Sequence, residues 1–214
     1  MTNKQQIEKF LFITQDIENK THEMQVYEAC RAGVKWIQLR IKDKPFEFWL
    51  LTAVNVKKIC DSYGAMLIIN DHVQIARHVG AAGVHLGQND MLPHDARKIL
   101  GENAIIGGTA NTFEEVQLHV ERGVDYVGLG PFRFTKTKLN LSPVLGLEGY
   151  SSILTLCKAN NIDVPLMAIG GIEIDDISSI LSLGMWGIAI SSAISKSDNM
   201  EKSASEFIEK IKDF

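Results

Sequence analysis

Gln38, Arg40 and Lys42 stand two residues apart, with an apolar residue in each gap. On an extended strand this spacing places all three side chains on one face. One amide and two cations make a poor hydrophobic core. They suit a multiply charged anion such as a diphosphate, because Arg offers a planar fork of donors and Lys a compact charge. A row of solvated surface side chains is the alternative, and the pattern favours the anion site.

Two carboxylates follow the next two strand-like segments, in Asn70-Asp71 and in Gln88-Asn89-Asp90. If those strands are neighbours, Asp71 and Asp90 converge at one rim. Two hard oxygen ligands plus a substrate phosphate suit Mg²⁺, which retains several waters when bound. Capping of the following helix is the alternative, above all for Asp71. Taken together, the pair predicts a magnesium site.

Small residues predict a second place for an anion. Gly170-Gly171 and Ser191-Ser192 follow the last two strand-like segments, and small residues let backbone N–H groups approach a phosphate. We expect this site to be separate from the row at Gln38. Two anion sites imply two phosphorylated substrates, or one substrate phosphorylated at both ends.

The long segment 130–138 interrupts the regular alternation of strand-like and helix-like segments, and it carries hydroxyls and lysines. Long loops in compact domains are often functional, and this one could close over a phosphorylated ligand as a lid. A flexible solvated loop is the alternative.

The histidines add little to this chemistry. His85 lies inside a strand-like run, and His22, His94 and His119 are expected to be exposed. None has the spacing of a metal ligand set. The sequence also lacks a dinucleotide fingerprint, a Walker loop and a nucleophile elbow.

Eight strand-like runs, each followed by a helix-period segment, must position these residues. The predicted strands are 10–14, 35–40, 65–69, 83–87, 104–108, 125–129, 164–169 and 186–191. The predicted helices are 22–32, 46–62, 72–79, 93–100, 112–122, 146–159, 173–183 and 200–213. This is the count of an α/β fold of the (β/α)8 TIM-barrel type, as a single catalytic domain over residues 1–214. An open doubly wound sheet is the rival. In a barrel all the candidate residues meet at the carboxyl rim of the strands.

Composition narrows the class of protein. The net charge of −4 gives no general attraction to nucleic acid or to anionic membranes, so phosphate binding must be local. Residues 3–6 lack the pattern of a secretory leader, and no segment approaches about 18 consecutive apolar residues. Cys30, Cys60 and Cys157 show neither metal nor disulfide spacing, so we expect buried reduced thiols and a cytoplasmic location.

The combination of segments closely resembles the thiamine-phosphate synthase family, also known as thiamine-phosphate pyrophosphorylase. The resemblance runs from about residue 10 to the end of the last helix. The segments that carry it are Gln38-Leu39-Arg40-x-Lys42, Ile69-Asn70-Asp71, His85-Leu86-Gly87-Gln88-x-Asp90, Gly130-Pro131 with Thr135-x-Thr137-Lys138, and Ala168-Ile169-Gly170-Gly171-Ile172.

The resemblance implies a TIM-barrel transferase that joins an aminopyrimidine methyl diphosphate to a thiazole phosphate with Mg²⁺, releasing diphosphate and thiamine monophosphate. It implies that the pyrimidine diphosphate is held by Gln38, Arg40, Lys42, Asn70 and Lys138, and Mg²⁺ by Asp71 and Asp90. The thiazole phosphate would contact Thr135, Thr137, Gly171, Ser191 and Ser192. Thr109 stands where the family usually has a serine near the pyrimidine. The residues expected to act in catalysis are Arg40, Lys42, Thr109 and Lys138.

Three positions depart from the family pattern. Ile41 replaces a common Glu and should point away from the barrel mouth, Asn111 replaces a common His, and the lid gains Arg133 and Lys136. A related thiazole tautomerase, which has a His at the position of Asn111, is the first alternative. A non-catalytic barrel that binds thiamine intermediates is the second. The sequence does not determine the oligomeric state; a homodimer is one expectation.

Overall fold

The structure is a computed structural model that describes residues 7–134 and 143–214. Eight parallel strands close into a barrel in chain order, and the last pairs with the first. The strands are β1 Phe10–Ile13, β2 Trp36–Leu39, β3 Met66–Asn70, β4 Gly83–Leu86, β5 Ile105–Ala110, β6 Tyr126–Leu129, β7 Leu166–Ile169 and β8 Gly187–Ile190. The predicted (β/α)8 barrel is confirmed.

The helices surround the barrel at the predicted places. They are α1 His22–Arg31, α2 Phe46–Tyr63, α3 Val73–Val79, α4 Pro93–Leu100, α5 Phe113–Glu121, α6 Gly146–Ala159, α7 Ile177–Ser182, α8 Ser192–Ser195 and α9 Met200–Ile211. The helix predicted over 173–183 is divided into a short 3-10 helix, Ile174–Asp176, and α7. The sequence analysis missed α8, because one helical turn is too short to show a hydrophobic period.

Two apolar layers hold the barrel together. The inner layer fills the barrel with side chains from alternate strand positions, including Trp36 and Tyr126, whose ring centroids lie 4.8 Å apart. The outer layer lies between strands and helices. Ile41 belongs to this outer layer and is buried, so its predicted orientation away from the mouth is confirmed. Within the described part of the chain, no helix is long and apolar enough to cross a membrane.

Candidate active site

A cleft of about 590 Å³ opens at the carboxyl ends of the strands. Arg40 and Lys42 from the β2 end line it, and so do the small residues after β7 and β8. The two predicted anion-binding groups are separate clusters, with β1 between their strands in the barrel order. They nevertheless face one shared cavity. Two anionic ligands bound there would therefore lie close to each other.

Arg40 and Lys42 bring two cationic side chains to one end of the cleft. Because β2 ends at Leu39, both residues lie in the loop after the strand and not on the strand itself. Burial lowers the pKa of the Arg40 guanidinium, against the opposing charges of Asp71 and Asp16. Burial and the neighbouring guanidinium likewise lower the pKa of the Lys42 ammonium. A bound anion would offset the cost of desolvation and the mutual repulsion through its opposite charge.

Gln38 lies in β2, two residues before Arg40, and Asn70 is the last residue of the adjacent strand β3. Both side chains are buried, and the Gln38 amide donates a 2.7 Å hydrogen bond to Asn70 Oδ1. Among the described residues nothing hydrogen-bonds to the buried Oε1 atom of Gln38. An unsatisfied buried acceptor is costly, so a ligand donor that reached it would be favoured.

Asp71 and Asp90 lie in the loops that follow two adjacent strands, Asp71 directly after β3 and Asp90 four residues after β4. The Asp71 N–H donates to the backbone oxygen of His85 in β4 at 2.9 Å, which joins the two strand ends. Asp71 has a left-handed backbone with φ of 62°, a conformation that is uncommon outside glycine and often found at functional sites. Asp90 Oδ2 accepts the Gly87 N–H at 2.6 Å.

Neither carboxylate belongs to the N-cap residue of the helix that follows it. The N-cap residue of α3 is His72 and that of α4 is Leu92, and neither cap is made by a side chain. Burial lowers the pKa of His72, the residue after Asp71, and the charge of Asp90 opposes this shift. Asp90 is therefore close to His72. The described residues contain no group of three or more His, Cys, Asp or Glu arranged to hold a metal ion. Two carboxylates fit a cation that takes its other ligands from water and phosphate.

Thr109 lines the cleft and is held from two sides. Its Oγ1 atom lies 2.8 Å from Nε2 of the buried His85, whose Nδ1 lies 3.0 Å from the Tyr126 hydroxyl. Its backbone oxygen lies 2.9 Å from Nε2 of His119. The prediction that His119 is exposed is wrong. Gly108 makes the burial possible, because a Cβ there would come within 2.5 Å of the His119 ring.

The glycines after β7 shape the opposite end of the cleft. Gly170 and Gly171 have φ of 94° and 72°, and a Cβ at Gly170 would lie 2.8 Å from Pro131. The start of the lid segment lies directly against them, since the Arg133 N–H donates to the Gly170 oxygen at 2.9 Å. The Arg133 guanidinium also forms a two-bond ion pair with Asp176, at 2.9 Å for each bond. Arg133 therefore anchors the start of segment 130–138 to the residues that follow β7.

Ser191 and Ser192 follow β8 and line the cleft beside these glycines. The buried Oγ of Ser191 has no hydrogen-bond partner among the described residues. An unsatisfied hydroxyl beside two glycines could donate a hydrogen bond to a phosphate oxygen. Thr135, Thr137 and Lys138 lie outside the described residues, so their predicted contacts stay predictions.

Asn111 is a buried residue that the sequence analysis treated only as a departure from a family pattern. Its amide donates to the backbone oxygens of Gly130 at 3.0 Å and Pro143 at 2.8 Å. It thus ties together the two chain segments that flank the undescribed part of the lid. Spacing gave no indication of this contact, because the partners are backbone atoms far away in sequence.

A family model described as thiamine monophosphate synthase matches residues 10–194. The chain is 51% identical over 183 residues to a thiamine-phosphate synthase from Bacteroides fragilis, covering 86% of this chain and 90% of the relative. It is 44% identical over 203 residues to a thiamine-phosphate synthase from Flavobacterium johnsoniae, covering 95% and 96%. A solved thiamine phosphate pyrophosphorylase from Pyrococcus furiosus has a TM-score of 0.84 at 30% identity, with 96% of each chain covered.

Proposed function

This chain belongs to the thiamine monophosphate synthase family, and we propose that it joins an aminopyrimidine methyl diphosphate to a thiazole phosphate. The products are thiamine monophosphate and diphosphate, which makes the protein a transferase. The observation that carries the proposal is that Arg40 and Lys42 line the same cleft as Gly171 and Ser192, which lie at its other end. Its volume of about 590 Å³ is in the range of small-molecule sites.

Arg40 and Lys42 take the diphosphate group. Their lowered pKa values reflect two cations that are partly removed from water and close to each other. Negative charge that builds up on a departing diphosphate is stabilised more strongly in such a site than in water. Gln38 and Asn70 hold the pyrimidine end of the same substrate, with the unpaired Gln38 Oε1 as an acceptor for a ligand N–H.

Asp71 and Asp90 would hold Mg²⁺ together with the diphosphate. The fit rests on their chemistry and placement: two carboxylates on adjacent strand ends, beside the cationic end of the cleft. When bound, the ion neutralises charge on the phosphate oxygens.

The reaction needs no side-chain nucleophile. The bond between the methylene carbon and the diphosphate oxygen breaks with its electron pair moving to the diphosphate. The electron-rich aminopyrimidine ring stabilises the remaining cation. The thiazole nitrogen then donates its lone pair to that carbon. The chain contributes by holding the two reactants in line and by excluding water.

Thr109 contacts the pyrimidine, and Gly171, Ser191 and Ser192 bind the thiazole phosphate. We propose that Thr135, Thr137 and Lys138 complete these contacts from the lid, with Lys138 beside the diphosphate. Lys138→Ala should lower product formation by orders of magnitude while the protein remains folded.

Incubation of the purified protein with both substrates, with and without Mg²⁺, tests the proposal. We expect thiamine monophosphate and diphosphate in equal amounts, and only with Mg²⁺. Isomerisation of the thiazole phosphate without condensation would instead identify a tautomerase. Binding of the pyrimidine diphosphate without release of diphosphate would identify a non-catalytic binding protein.

A cytoplasmic location and a homodimer also belong to the proposal. The free and buried Cys30, Cys60 and Cys157 support a reducing compartment. Light scattering on the eluting peak of a sizing column tests the dimer, which a mass near 23.8 kDa would exclude.

A further inference from the structure

His22 lies at the first position of α1, outside the cleft, and is buried. The expectation that it is exposed is therefore wrong. Its Nδ1 lies 2.9 Å from Thr14 Oγ1, and its Nε2 lies 3.3 Å from Asp16 Oδ1. Both partners belong to the loop that follows β1.

Each partner also holds the backbone of one cationic residue. The Arg40 N–H donates to Thr14 Oγ1 at 3.0 Å, and the Lys42 N–H donates to Asp16 Oδ2 at 3.0 Å. The imidazole therefore completes a bridge that begins at the backbone of Arg40 and ends at the backbone of Lys42. Segment 40–42 follows the end of β2, so the sheet ladder does not hold it.

One neutral tautomer satisfies every bond in the bridge. The Thr14 hydroxyl accepts the Arg40 N–H and donates its own proton to His22 Nδ1. The Nε2–H group then donates to Asp16 Oδ1, which leaves Oδ2 for Lys42. Burial lowers the pKa of His22 despite the charge of Asp16, so the neutral form is favoured.

The same loop is joined to the segment after β8 through a different side chain. Gln15 is buried, donates to the Ser195 hydroxyl, and is held by Gln25 of α1. Ser195 in turn donates to the Ser191 oxygen at 3.0 Å. The His22 ring hydrogen-bonds to Thr14 and Asp16, whereas the backbone of Gln15 is held by Gln25. A change at His22 should therefore act on the cationic end and leave the Ser191 end intact.

We propose that His22 is a positioning residue that holds Arg40 and Lys42 in the geometry needed to bind diphosphate. The inference rests on the proposed function only in placing diphosphate at these two cations. Its mechanism is pre-organisation: a loop segment carrying two repelling cations is kept in place, before the anion arrives, by a bridge whose central histidine is buried.

The test compares His22→Ala with Val26→Ala. Val26 is fully buried one turn later on the same helix and touches the outer apolar layer, so its truncation is a matched control for lost stability. Titration calorimetry with inorganic diphosphate and Mg²⁺ gives the affinity without turnover. We expect His22→Ala to weaken diphosphate binding about tenfold, as for the loss of one buried hydrogen-bonded group, and Val26→Ala to leave it unchanged.

Kinetics supply a second readout. In His22→Ala we expect the KM for the pyrimidine diphosphate to rise, while the KM for the thiazole phosphate stays at the wild-type value. His22→Asn retains an amide where Nδ1 lies, and His22→Gln retains one where Nε2 lies. Each should recover part of the diphosphate affinity. If His22→Ala does not fold, these two variants and Asp16→Asn carry the same comparison.

Equal diphosphate affinity in His22→Ala, Val26→Ala and the wild type would overturn the positioning role. An equal rise in both KM values would also overturn it, because that result indicates general destabilisation. A wild-type protein that forms no thiamine monophosphate would instead overturn the proposed function. In that case the diphosphate affinities would still decide whether His22 holds the cations.

Discussion

The hydroxyl of Thr109 lies 2.8 Å from Nε2 of His85, and the other nitrogen of that imidazole lies 3.0 Å from the Tyr126 hydroxyl. A residue at the cleft surface is thus held by a buried polar chain that extends into the barrel. This chain orients the Thr109 hydroxyl before a substrate binds.

Thr109→Val keeps the shape of the side chain and removes its hydroxyl. We expect kcat/KM to fall roughly 10- to 100-fold, because both the substrate contact and the partner of the buried His85 are lost. Thr109→Ser keeps the hydroxyl and should stay within a few-fold of wild type. Steady-state kinetics on the three proteins test this. Equal kcat/KM for Thr109→Val and Thr109→Ser would remove Thr109 from the site.

Asp71→Asn is the cleanest test of the metal site. Asn tolerates the left-handed backbone at this position, whereas Ala would add about 1–2 kcal/mol of strain unrelated to metal binding. Loss of the carboxylate should lower the rate by orders of magnitude and raise the Mg²⁺ concentration that gives half-maximal rate. Initial rates across a MgCl₂ series provide the measurement. A wild-type Mg²⁺ dependence in Asp71→Asn would contradict the assignment.

Gln38 and Asn70 should behave as one unit. Their 2.7 Å hydrogen bond is buried, so single Ala substitutions each leave a polar partner unsatisfied. Denaturant unfolding of the two single variants and the double variant should give a coupling free energy of about 0.5–1.5 kcal/mol. Additive losses would mean that the hydrogen bond contributes nothing to stability.

Arg133→Lys should loosen the anchoring of segment 130–138. Lys cannot reproduce the two-bond ion pair with Asp176, and the Arg133 side chain is half exposed, so the stability loss should stay below about 1 kcal/mol. We expect a several-fold rise in the KM for the thiazole phosphate. Lys57→Ala, which breaks the exposed Lys57–Asp61 pair on α2, is the matched control and should leave both KM values unchanged.

Stability should fall when the pH drops below the ordinary pKa of histidine. Burial lowers the pKa of both His22 and His119 in the folded protein. Between the unfolded value of about 6.5 and the lower folded values, the unfolded chain binds more protons, so acid favours unfolding. The free energy of unfolding should fall by at most about 1.4 kcal/mol per histidine for each pH unit in that window.

Urea unfolding at several pH values from neutral to mildly acidic gives the slope of the free energy of unfolding against pH. Both His22→Gln and His119→Gln should make the free energy of unfolding less dependent on pH. A slope that is unchanged in these two variants would contradict the account.

The sequence by itself determined the barrel and the rim on which its polar residues lie. Alternating apolar runs and helix periods are local signals, and closing eight such units brings the strand ends together whatever the details. Arg40, Asp71, Asp90 and Gly171 were predicted for this reason, since each lies within four residues of the end of a strand. Thr109 is the second-last residue of β5, and its role in the site was identified through the family resemblance.

Only the tertiary structure decided what holds those residues in place. The bridge through His22, the support of Thr109 by His85 and His119, and the ties made by Asn111 all join residues that are 6 to 32 positions apart in the chain. Such contacts leave no periodic pattern, because each depends on how two neighbouring βα units pack. Burial of a histidine is likewise a property of the space around it. That space at His119 depends on the missing Cβ of Gly108 in another element.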